Sequence, residues 1–163
     1  MSVLDKLFPR EASNDYRGSP IALYGFWLLM APFTFRSLVH FLKDDSGVNS
    51  IATMVLFSGT PDPNQAVYMF SSLWGSQQLV MVLLYLVVLV RYRSLLPLMY
   101  VLVLAESLFR LVVGSIHPLT EGYFQSTPPG GPGGIAIFLV LAAVMLVLSL
   151  RSRPAKSLEL EPA

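Results

Sequence analysis

The 163-residue chain is 54% hydrophobic and only 13% charged, against about a quarter charged residues in ordinary soluble domains. Together with a mean hydropathy of +0.61 this excludes a soluble globular class, and a net charge of +1 excludes the basic field that nucleic-acid binding requires. The absence of cysteine removes disulfides, thiolate-held metals and thiol catalysis together.

Residues 1–18 are mixed polar with no cleavable apolar core, so targeting is expected to fall to the first spanning helix. Val3, Leu4, Leu7 and Phe8 are spaced to lie flat at an interface before Pro9 stops the helix. From Pro20 to Leu42 the chain is apolar for about the 20 residues that a bilayer demands. Ser19 stands as its cap and Pro20 at its first turn. Pro32 inside it predicts a kink. Residues 48–58 are too short to span, but place Val48, Ile51 and Val55 on one stripe and predict an interfacial or re-entrant helix. After the rigid turn Thr60-Pro61-Asp62-Pro63 a second span is expected over 64–90, more polar in its first half than its second.

The third span, 95–117, is apolar enough to cross a membrane yet contains Glu106 and Arg110. A charge at mid-membrane costs roughly 2.5–3.5 kcal/mol on insertion scales, so such residues pair, face protein or serve a function. Four apart, with the acid first, they stack on one helix face. A Pro- and Gly-rich loop follows, and Gly130-Gly131-Pro132-Gly133-Gly134 lacks the lysine and preceding strand of a phosphate loop. It reads as a hinge before a fourth, wholly apolar span at 135–150 and a polar tail at 151–163.

The expected fold is therefore an all-α integral membrane protein: one membrane domain of four transmembrane helices plus the short helix between the first two. Basic residues gather at Lys6, Arg10, Arg17, Arg91, Arg93, Arg151, Arg153 and Lys156, whereas the alternate loops offer only Lys43. By the positive-inside rule both termini are expected to be cytoplasmic. Helix three, ESLFRLVVGSIHP, with the following GYFQSTPPGGPGG, resembles small bacterial four-helix inner-membrane proteins of unassigned function. The resemblance covers the second half of the chain and implies a bacterial cytoplasmic membrane.

At 1.5 Å per residue, Arg36, His40, Gln77, Gln78, Glu106, Arg110 and His117 all fall between the bilayer centre and the outer face. They define the expected ligand-binding cluster, with His40 and His117 at its mouth. Two arginines against one carboxylate suit an anionic or carbonyl-bearing ligand. The competing structural reading has Glu106 bridging the arginines while the glutamines cross-link helices. The histidines carry no haem or metal motif, so no cofactor, metal or catalytic residue is expected. Trp27, Trp74 and the tyrosines read as belt or packing residues.

The functional expectation is a non-enzymatic accessory subunit, or binder of a lipid-like or small anionic ligand. Its partners would be the bilayer and other membrane subunits or further copies of itself, and not nucleic acid. The alternatives are a membrane enzyme acting on a lipid and an oligomeric proton-coupled transporter using Glu106.

Overall fold

The computed structural model describes residues 2–127 and 132–151. The remainder of the glycine-rich hinge, 128–131, and the tail beyond Arg151 lie outside the described residues. The described residues form helices and loops, with no strand beyond an isolated bridge between Met54 and Phe124.

Helix α1 is short, Val3–Leu7, closed at its start by a reciprocal capping box between Ser2 and Asp5. Helix α2 runs over Pro20–Leu42, capped by the Ser19 hydroxyl, and continues unbroken through Pro32. Helix α3, Pro63–Arg91, starts from the Asp62 side chain. A tight turn leads to α4, Leu96–Ile116, and α5 covers Pro132–Leu150. The starts of α2 and α3 obey one rule. A capping side chain accepts from an otherwise orphaned N–H, and proline occupies a position whose N–H would be unbonded anyway. At Asp62 the bonds from Asn64 hold the carboxyl below the usual carboxylate range.

Three helical segments, Pro20–Leu42, Pro63–Arg91 and Arg93–Ile116, are long and apolar enough to cross a membrane. The apolar run in α5, Gly134–Leu150, is shorter. Its polar ends are provided for: Lys6 Nζ donates to the Leu150 carbonyl at 2.6 Å, and the Ser19 N–H to that of Leu148 at 3.2 Å. The N-terminal segment also pairs with the α3–α4 turn through Ser13 and Ser94. These contacts define the terminal end of the bundle.

The most extensive packing is α2 on α3, followed by α4 on α5 and α2 on α5, while α3 and α4 touch little along their lengths. Gly75 explains the first pairing. A Cβ there would stand 2.7 Å from both His40 Cβ and the Phe41 backbone nitrogen, so only glycine lets the backbones approach this closely. Gly75→Ala would gain about 1 kcal/mol of helix propensity and lose about 1–3 kcal/mol to overpacking. A lowered melting temperature in detergent is expected, and an unchanged or raised one would show that α2 and α3 can part without loss.

The core lies nearer the terminal end, where Phe26 meets Tyr85 and Tyr100 edge-on at 5.3 and 4.9 Å. Around them Ala22, Leu89, Leu96, Val103 and Ala142 are fully buried. The Tyr100 hydroxyl donates to the Ala22 carbonyl at 2.7 Å.

The segment expected as a short helix at 48–58 is not one. Turns run from Asp44 to Ala52, and the chain from Thr53 to Gly59 has no regular structure beyond the bridge at Met54. Asp45 is the cause: its carboxylate accepts from the Gly47 and Ser50 N–H groups at 3.0 and 2.7 Å, giving the backbone partners that a helix would otherwise provide. Ser46, Gly47 and Thr53 have φ of 53°, 69° and 57°, a left-handed conformation that no helix continues through. Beyond the turn, this loop and the second one zip together. Gln125 N–H donates to the Thr53 carbonyl at 2.7 Å and Val55 N–H to that of Tyr123 at 3.0 Å, while Thr53 Oγ1 donates to the Ser126 carbonyl at 2.7 Å. This paired lid is the loop end of the bundle.

Candidate functional site

Trp74, on α3, is the centre of the polar cluster. The guanidinium carbon of Arg36, from α2, lies 4.5 Å from the centre of its ring, and that of Arg110, from α4, 4.7 Å from it. The attraction of each cation to the indole face is worth about 0.5–2 kcal/mol. Trp74 thereby joins three helices, and does so where α3 and α4 have few other contacts.

The charges beside it do not balance. Arg110 Nη2 pairs with Glu106 Oε1 at 2.5 Å, one turn away on the same helix. Gln78 Nε2 donates to the same oxygen at 3.2 Å. Arg36 makes no hydrogen bond or ion pair with any described residue, and Trp74 is the neighbour that its charge faces. Two guanidiniums thus share one carboxylate, leaving one positive charge without a counter-ion among the described residues. Gln78 Oε1 and the Tyr85 hydroxyl, both shielded, also have no partner among the described residues. Buried polar atoms left in this state are uncommon, and each calls for an explanation.

No family model, curated protein or solved structure matches the chain. The site is therefore read from its own geometry.

Of the seven residues expected in the cluster, Arg36, Gln78, Glu106 and Arg110 come together, with His40 at the side. Gln77 does not join: it is exposed on another face of α3, because adjacent helical residues point about 100° apart. Nor does His117, which is exposed at the end of α4 and so does not form a mouth with His40. His40 itself is taken up in structure. Its ring packs tilted against Trp74, with centroids 4.7 Å apart, and its Nδ1 lies 2.7 Å from the Ser46 carbonyl. Because a carbonyl only accepts, Nδ1 carries the proton there. Ser71 Oγ lies 3.2 Å from the same nitrogen, and the Ser46 hydroxyl donates back to the His40 carbonyl. The imidazole thus ties the first loop to α2 and α3.

Trp74 is the residue that the belt reading passes over. The signal for it is the stripe Ser71, Trp74, Gln78, Tyr85, at spacings of three, four and seven, which places all four on one face of α3. Among the described residues no hydroxyl or imidazole bonds to Glu106, so the carboxylate activates no nucleophile in this arrangement. Among the described residues no three of His, Cys, Asp and Glu gather to hold a metal. The arrangement is suited to holding an anion: two forked cations, one already positioned by its carboxylate and the other open.

Beyond this level α4 stands clear of the bundle. Leu108, Phe109, Val112, Val113 and Ile116 are exposed, and a Cβ on Gly114 would meet nothing within 4 Å.

Proposed function

We propose that this protein is a non-enzymatic membrane binder of an anionic amphiphile, whose charged head Arg36 receives beside Trp74 and Arg110. The observation that carries this reading is the unmatched guanidinium of Arg36 on a membrane-length helix. Left alone there it costs several kcal/mol, whereas a carboxylate or phosphate from the ligand removes that cost. In this reading the ligand enters from the lipid side between α3 and α4, with its tail on the exposed apolar faces of the two helices.

In this reading α5 is a fourth span, and the chain sits in a bacterial cytoplasmic membrane with both termini inside and the paired loops outside. The cluster then opens towards the outer leaflet. Native mass spectrometry of detergent-purified protein titrated with myristate tests the binding. A one-to-one complex is expected, weakened about 10- to 100-fold by Arg36→Gln, the worth of one charged hydrogen-bonded contact. Equal binding by the two proteins would refute the role of Arg36.

Orientation has its own test, since the chain has no native cysteine to interfere. Ser46 is fully buried despite its place in a loop, so Ser58 and Ser126, both exposed, are the better sites. Single cysteines at these positions should react with an impermeant thiol reagent in intact cells, and one at exposed Ala12 should not. The reverse pattern would invert the topology.

A further inference from the structure

The two orphaned polar atoms belong to residues on one face of α3. Gln78 is bonded through its nitrogen to Glu106, which leaves its Oε1 as an unfilled acceptor. Tyr85 lies seven residues on, two turns along the same face of α3, and is 1% exposed with its hydroxyl unfilled. Tyrosine needs no hydroxyl merely to pack against Phe26 and Phe33. Phenylalanine would fill that space without burying a polar atom.

The chemistry that satisfies both atoms is narrow. Gln78 Oε1 can only accept, while the Tyr85 hydroxyl can donate or accept. A ligand hydroxyl meets both needs, since it can give its hydrogen to the first and accept one from the second. It would lie on the terminal-end side of the guanidiniums, because Tyr85 follows Trp74 and Gln78 along α3. We propose that the anionic ligand carries a hydroxyl on the tail side of its charge, and that Gln78 and Tyr85 bind this hydroxyl beside Glu106. The site is then bipartite, with guanidiniums for the charge and a buried donor–acceptor pair for the hydroxyl. This rests on the reading that Arg36 and Arg110 hold the anion. The class it selects is a hydroxylated amphiphilic acid, such as a 3-hydroxyacyl carboxylate, in preference to the plain acid.

The test compares two probes that differ by one hydroxyl, tetradecanoate and 3-hydroxytetradecanoate, titrated calorimetrically into the full chain in detergent. Wild type is expected to bind the hydroxylated acid about 10-fold more tightly, the ratio that a satisfied pair of buried hydrogen bonds supplies. Tyr85→Phe should reduce the ratio to about one, a pattern that a purely structural tyrosine, whose loss would weaken both acids alike, would not produce. Should Tyr85→Phe fail to fold, Gln78→Met carries the same comparison. Equal affinities in wild type would assign the orphaned atoms to a buried water and overturn the proposal while leaving the anion site standing. So would a preference that survives both substitutions. Binding of neither acid would overturn the anion site itself, and the hydroxyl pocket with it.

Discussion

Glu106→Ala is expected to destabilise the protein by about 1–3 kcal/mol, short of the full cost of breaking a buried ion pair because the Arg110 and Glu106 side chains are 20% and 34% exposed. The carboxylate accepts from Arg110 and from Gln78 and is, among the described residues, the only counter-charge beside two guanidiniums. Without it Arg36 and Arg110 face one ring with no anion between them. Arg110→Ala should cost less, because Glu106 keeps the Gln78 bond and one positive charge remains nearby. That asymmetry distinguishes a shared counter-ion from a simple pair, in which either deletion would cost the same. Adding Arg110→Ala to Glu106→Ala should recover part of the loss, since contacting residues are not additive. Thermal melts of the three variants in one detergent check this, and equal losses for the two single variants would show that Arg36 does not draw on Glu106.

The fold was legible where one-dimensional signals suffice. Apolar runs of membrane length, Ser19 before Pro20 and the turn Thr60-Pro61-Asp62-Pro63 locate α2 and α3 to within a residue, because capping, turns and hydropathy are local properties. Residues 48–58 misled because their apolar stripe is helical in spacing, while the bonds that decide the matter come from Asp45, upstream of the stripe. Within the cluster, depth was readable but azimuth was not. Gln77 and Gln78 are indistinguishable by depth, and the rotation of α3 that favours Gln78 is fixed by Gly75 against His40. Trp74 escaped notice because an isolated tryptophan has many uses at a membrane; its role follows from arginines on two other helices. His40 looked like a site residue because its partner Ser46 lies in a turn that the sequence did not reveal.

Arg36→Met is expected to have the opposite effect on stability from Glu106→Ala, and the sign follows from comparing two terms. Removing the guanidinium forfeits one interaction with Trp74, about 0.5–2 kcal/mol. It also removes an unmatched charge from a membrane-length helix, which costs roughly 2.5–3.5 kcal/mol on insertion scales. Methionine retains the length and apolar bulk of the arginine stem, so no large cavity opens. The difference favours the variant by about 0.5–3 kcal/mol, and its melting temperature should rise when no amphiphile is present. Binding should move the other way: an anionic amphiphile that stabilises wild type in proportion to ln(1 + [L]/Kd) should add little to Arg36→Met. A residue retained for packing would be missed in both measurements, whereas one retained for a ligand is missed only when the ligand is present. If Arg36→Met melts below wild type in amphiphile-free detergent, the guanidinium is structural, and the cluster is internal bracing rather than a binding site.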